Sequence, residues 1–191
     1  GTGPAMVCAR AVRMMAYAET VCASNFSFLR GASHPKDLVL SSLLCGQAGL
    51  GLADRNSAAG VVRAWSALKT LRNEGWVPPE RIRLGSSPGE VVYVDSKTED
   101  SIAERIRHTA QQFKLMTGAR LVFADGTPDV VAYAEDREGW GRLTRLLTLG
   151  ARRAAKGQSI LTKSDLLSHA DGLLLIAMGG TPEWLGELSE V

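Results

Sequence analysis

"GLGLADRNSAAGVVRAW", Gly49 to Trp65, is the stretch whose reading decides the fold. Leu50 to Ala53 make a short apolar run that stops at Asp54, the mark of a compact buried strand. From Ser57 the period changes. Val61, Trp65, Leu68 and Leu71 recur at helical spacing and predict a helix with one apolar face. The chain upstream repeats the alternation: Tyr17 to Cys22 reads as a strand, and "SHPKDLVLSSLLCGQAG" reads as a helix. Ser33 or His34 caps that helix, Pro35 occupies its first turn, and Gly49 falls just past its end. The first third is therefore β-α-β-α, which favours a parallel sheet or barrel with its strand C-termini facing one rim.

Downstream the pattern loosens. "RNEGWVPPERIRLGSSPGEVVYVDSKTED", Arg72 to Asp100, is rich in Gly, Pro and Ser and reads as a surface excursion. Ile102, Ile106, Ala110 and Phe113 then mark an amphipathic helix that returns the chain to the core, so the insertion spans about 72–114. "ARLVFADGTPDVVAYAED" reads as two strands joined by a turn at Asp125 to Pro128. Asp136 is placed to cap the helix carrying Trp140, Leu143, Leu146 and Leu147, and Thr162 with Asp165 resembles a capping box. Leu173 to Met178 looks like a buried strand. Repeated strand-helix units suggest an α/β barrel over 17–191, incomplete at its C-terminal end, with 1–16 as an extension.

Composition narrows the class. A chain of 191 residues suits one domain with a sizeable core, and 45% hydrophobic with 22% charged residues is ordinary for a globular protein. A net charge of +2 is too small to argue for nucleic-acid binding by itself. Cys8, Cys22 and Cys45 form neither a disulfide framework nor a zinc spacing, so a reducing cytoplasm is expected. No apolar run approaches the ~20 residues that span a bilayer. The start, "GTGPAMVCARAVRMMAYAE", lacks the apolar region of a secretory signal, and Met14 or Met15 could be the natural first residue.

Chemistry is sparse. His34, His108 and His169 lie far apart on helices or caps, where structural roles are the commoner ones, and three scattered histidines cannot build a multinuclear metal shell. There is no GxGxxG, GxxxxGK[ST] or GxSxG, and Ser24, Ser27 and Ser33 have no partner base identified by spacing. Asp54 ends a buried strand, where barrel sites gather polar groups; the competing reading makes it the cap of the following helix. Arg142, Arg145, Arg152, Arg153 and Lys156 could contact phosphates, or could simply be a solvated face complementing the helix dipole.

Several segments, in order, carry a resemblance: "YAETVCASNFSFLRGASHP", "GLGLADRNSAAGVVRAW", "GARLVFADGTPDVVAYAEDREGWGRLTRLLTLGARRAAKG" and "ILTKSDLLSHADGLLLIAM". Together they resemble the N-terminal PHP (polymerase and histidinol phosphatase) domain of bacterial C-family DNA polymerases. "SNFSFLRGASHP", "DRNSAAGVVRA" and "RLTRLLTLG" look most like the error-prone, damage-inducible branch. The resemblance implies a distorted seven-stranded β/α barrel with metals at its strand ends. This sequence departs from the family at each ligand position that can be placed. The first-strand HxH falls on Val21 and Ala23, a later acidic or His position on Arg30, the TDH histidine on Arg55, and the GxE glutamate on Arg120. A guanidinium cannot be deprotonated into a ligand. One expectation is that Arg30, Arg55 and Arg120 converge and partly replace the metals, neutralising a residual polar pocket of Glu19 and Asp54; the alternative is that they point separately into solvent.

Three functions follow as expectations. The first is a non-catalytic, structural PHP domain of an error-prone DNA polymerase. Its parent would copy past lesions in DNA repair, with Mg²⁺ held by a palm domain. The implied partners are the polymerase body in cis, primer-template DNA, damage-response accessory proteins and the sliding clamp, with no membrane. The second is a free-standing PHP-type metal-dependent phosphoesterase. The third is a DNA-binding module using Arg142 to Lys156.

Overall fold

In the computed structural model, which describes residues 17–76 and 96–190, the apolar run at Leu50 lies in the second strand of a mixed five-stranded sheet. Strands β1 (Ala18–Cys22), β2 (Gly49–Arg55) and β3 (Lys114–Leu121) run parallel, as the β-α-β-α reading requires. Strands β4 (Val130–Ala134) and β5 (Leu173–Ala177) come back antiparallel, and the order across the sheet is that of the chain. The hairpin expected around Asp125 to Pro128 is the β3–β4 pair. Among the described residues five strands pair, where the resemblance implied seven, and β1 and β5 are the two edges.

The helices are α1 (Pro35–Leu44), α2 (Ala59–Glu74), α3 (Ser96–Gln112), α4 (Arg137–Arg152), α5 (Lys163–Leu167) and α6 (Pro182–Ser189). One core packs α1, α2 and α3 on β2 through Val39, Leu43, Leu52, Leu68, Ile106 and Phe113. A second packs α4 and α5 on β3 and β4 through Leu121, Val130, Leu143, Leu146, Leu161 and Leu166. Each such side chain contributes about 1.5–3 kcal/mol by leaving water, so these two clusters hold the layers together. A smaller cluster of Ala53, Val131 and Tyr133, with Val21 and Met116 against it, covers the face turned away from the helices.

Capping follows the sequence in places. Asp136 accepts from Gly139 N at 2.7 Å, and Thr162 with Asp165 closes a capping box. Other expectations change. Helix α1 stops at Leu44; Gly46, at φ 69°, makes the turn, and Gly49 opens β2. On α2 the buried stripe is Val61, Ala64, Leu68 and Leu71, whereas Trp65 stands at its border, more than half exposed beneath Lys69. Helix α3 packs into the core through Ile106 and Ala110, where its amphipathic pattern returns the chain from the expected surface insertion. Residues 77–95, its centre, lie outside the described residues, as do 1–16 with Met14 and Met15. Strand β5 is buried on one face only: Leu173 and Leu175 pack inward while Leu174 and Ile176 remain exposed.

Candidate functional site

Strand alternation sends neighbouring residues of β2 to opposite faces. Leu50, Leu52 and Asp54 turn toward the helices; Ala53 and Arg55 turn the other way. Asp54, almost wholly buried, accepts three hydrogen bonds from the segment after β1. Ser24 N donates to Oδ1 at 2.8 Å, Ser24 Oγ to Oδ2 at 2.7 Å, and Ser27 Oγ to Oδ1 at 2.7 Å. Ser27 Oγ also accepts from Arg55 N at 2.9 Å. The carboxylate therefore ties the β1–α1 loop to the end of β2. It does not cap α2, whose Ncap is Ala58, with Ser57 Oγ accepting from Ala59 N. Gly60 makes this possible, since a Cβ there would stand 2.4 Å from Asp54 Oδ2.

The opposite face carries a cleft of about 280 Å³, lined by Val21, Ala23, Ser27, Arg30, Ala53, Arg55 and Arg120. All five positions at which the resemblance would set ligands thus surround one space. The β1–α1 loop brings Arg30 there through turns in which Arg30 N and Gly31 N both donate to Ser27 O. Arg55 and Arg120 are register partners on β2 and β3. Asn56 fixes that register: its N donates to Arg120 O, its Nδ2 donates to Val122 O, and its Oδ1 accepts from Val122 N. The sheet beside the cleft is crossed by Tyr133, whose hydroxyl donates to Thr20 O at 2.6 Å. Burial pushes this phenol far above its usual pKa, so it stays a donor. A Cβ at Gly51 would meet the Tyr133 hydroxyl at 2.5 Å, and one at Gly118 would meet the ring at 2.5 Å.

The charge partners differ from expectation. Arg120 pairs with Asp129, its Nε and Nη2 each 2.8 Å from Oδ2. Asp54 is satisfied by serines, and Glu19 by Val21 N and Tyr17 Oη, which hold its carboxyl below the usual range. The three arginines gather around the cleft, but none neutralises Glu19 or Asp54, and neither carboxylate lines it. Among the described residues no carboxylate lies within ion-pair distance of Arg30 or Arg55. Sequence reasoning missed Ser24 and Ser27 as the partners of Asp54, and Asp129 as that of Arg120. The last was accessible: a hairpin turning at Asp125 to Pro128 brings Asp129 back toward Arg120.

The second basic cluster divides. Arg142 is engaged by Asp171 and Glu138, and Arg153 by Asp165. Arg145 and Arg152 line an open groove of about 790 Å³ with Arg153 and His169, whereas Lys156 is not among its lining residues. Among the described residues no three His, Cys, Asp or Glu side chains gather as a metal shell, and no helix is long and apolar enough to cross a membrane.

No family model matches the chain. An error-prone DNA polymerase of Ruegeria pomeroyi is 42% identical over 168 residues, covering 86% of this chain and 15% of that protein. That of Caulobacter vibrioides is 39% identical over 163 residues, 85% of this chain and 11% of that protein. A third, from Rhodopseudomonas palustris, is 41% identical over 167 residues, 87% and 12%. The chain is a homologue of part of the error-prone DNA polymerases. It spans between 11% and 15% of the length of these curated relatives. A solved structure from Bifidobacterium adolescentis, described as a metal-dependent phosphoesterase, aligns over 82% of this chain and 44% of its own, at 15% identity. Its TM-score of 0.40 is too low to carry any argument.

Proposed function

We propose that the chain is the N-terminal PHP domain of an error-prone DNA polymerase, that its metal-hydrolase site is degenerate, and that it serves its parent structurally. The observation that carries this reading is the lining of the cleft. The side chains of Val21 and Ala23 offer no lone pair, those of Arg30, Arg55 and Arg120 offer only cationic donors, and the Ser27 hydroxyl is engaged by Asp54 and Arg55 N. Divalent ions need oxygen, nitrogen or sulfur ligands, so these residues do not fit a metal, and no step is routed through one. The seven-stranded barrel belongs to the same reading, with further polypeptide completing what the two sheet edges begin.

In this account the parent adds deoxynucleotides past lesions during repair in the cytoplasm. Mg²⁺ belongs to its palm domain, and primer-template DNA and the sliding clamp are its partners. The polymerase body in cis is the partner of this domain. Exposed Leu174 and Ile176 on β5, and Phe28 and Leu29 on the loop beside the cleft, are apolar surface that such a body would cover. The test is a phosphoesterase assay with Mn²⁺ or Zn²⁺ on the purified chain. No hydrolysis beyond the metal-only blank is expected. Turnover abolished by chelator would instead make the chain a free-standing phosphoesterase.

A further inference from the structure

We infer that the arginine-lined cleft is an anion site that holds a phosphate group through guanidinium groups, without a metal and without cleaving it. This inference concerns the cleft alone and stands whichever parent the domain serves. It begins with an electrostatic imbalance. Strands in a sheet lie about 4.8 Å apart, and Arg55 and Arg120 occupy partnered positions on adjacent ones. Two like charges so placed repel, and Asp129 compensates only Arg120. Arg30 approaches the same space from the β1–α1 loop. Among the described residues Arg30 and Arg55 have no carboxylate partner, so within that part of the molecule two of the three guanidinium groups at the cleft are uncompensated.

Geometry favours a compact oxyanion. At about 280 Å³ the cleft lies at the small end of ligand pockets, suited to one phosphate group rather than a whole nucleotide. Guanidinium forks match phosphate oxygens in pairs, with shorter and stronger bonds than neutral donors make. Ser27 supplies the wall but not a donor, because its hydroxyl proton is committed to Asp54 and its oxygen to Arg55 N. The Asn56 clamp and the Asp54 tether hold Arg55 and the Arg30 loop in place before any ligand arrives, which lowers the ordering cost of binding.

The probe is inorganic phosphate added to the 191-residue chain, followed by thermal shift and calorimetry against NaCl of matched ionic strength. Saturable stabilisation by phosphate beyond the NaCl control is expected. Arg30→Gln and Arg55→Gln should each weaken it at least about tenfold, as loss of one charge-assisted bond implies. Both side chains are exposed, so these variants should not lower the unliganded melting temperature, and Arg55→Gln should raise it slightly by relieving the repulsion from Arg120. A second arm compares short DNA oligonucleotides bearing a 5′-phosphate or a 5′-hydroxyl. Competition by the phosphorylated oligonucleotide alone assigns the site to a nucleic-acid end, and competition by neither assigns it to free phosphate. Stabilisation equal to that by NaCl, or unchanged in both Gln variants, would overturn the inference.

Discussion

Replacing Asp54 with alanine tests whether its carboxylate is the tether of the β1–α1 loop. The substitution strands Ser24 N, Ser24 Oγ and Ser27 Oγ, all donors to Asp54 at 2.7–2.8 Å in a nearly water-free setting. A buried donor without a partner costs about 1–3 kcal/mol. The two hydroxyls can turn to recover part of this, which leaves a loss of roughly 3–5 kcal/mol, a large share of the 5–15 kcal/mol that typically holds a domain together. Asp54→Asn keeps one acceptor oxygen and should lose about 1.5–3 kcal/mol. Urea unfolding followed by tryptophan fluorescence reads the shift in midpoint at constant slope. Gly60→Ala supplies an internal check. Its helix preference gains about 1 kcal/mol, but a Cβ 2.4 Å from Asp54 Oδ2 makes the substitution destabilising when Asp54 is present. With Asp54→Ala already in place, that penalty should shrink to what the approaches to Ser24 Oγ at 3.0 Å and Leu52 Cδ2 at 3.1 Å leave. Asp54→Ala within about 1 kcal/mol of the parent at an unchanged slope would refute the tether.

The remaining predictions concern the sheet face and the C-terminal half. Tyr133→Phe, which removes the bond to Thr20 O, should cost about 0.5–1.5 kcal/mol. Gly51→Ala should destabilise more in the parent than in the Tyr133→Phe background, because the nearest atom to its new Cβ is the Tyr133 hydroxyl; equal effects in both backgrounds would contradict the packing described. Asp165 has its carboxyl held below the usual range, first by Arg153 and then by Thr162. A lowered folded pKa stabilises above the unfolded value of about 3.9 and is lost as pH falls through the folded one. Asp165→Asn should therefore lower the melting temperature at pH 7 and flatten its decline between about pH 4 and pH 2; parallel curves would sink this assignment.

What was legible in the sequence was what local pattern controls. The change of period around Asp54 located β2 and α2, and Asp136 and Thr162 marked their helix starts because capping depends on a few adjacent residues. Positions whose role depends on distant partners were read less well. Asp54 has a chain-local explanation as a cap, yet its donors come from 27 and 30 residues away. Trp65 fits a helical stripe as well as Ala64 does, yet packing buries Ala64 and leaves Trp65 more than half exposed. The five ligand positions were aligned through resemblance, and their convergence on one cleft is a property of the sheet register. The ion pairs were missed because a charge's partner is chosen by tertiary distance, as Arg120 and Asp129 illustrate.

Guanidinium and aliphatic side chains line the cleft, and the proposed function requires that it hold no divalent cation. The most direct test of that requirement is an anomalous-scattering map from crystals of the chain soaked in Mn²⁺. The account predicts no manganese peak in the cleft bounded by Val21, Ala23, Arg30 and Arg55. A strong peak there, with protein atoms at coordination distance, would contradict it.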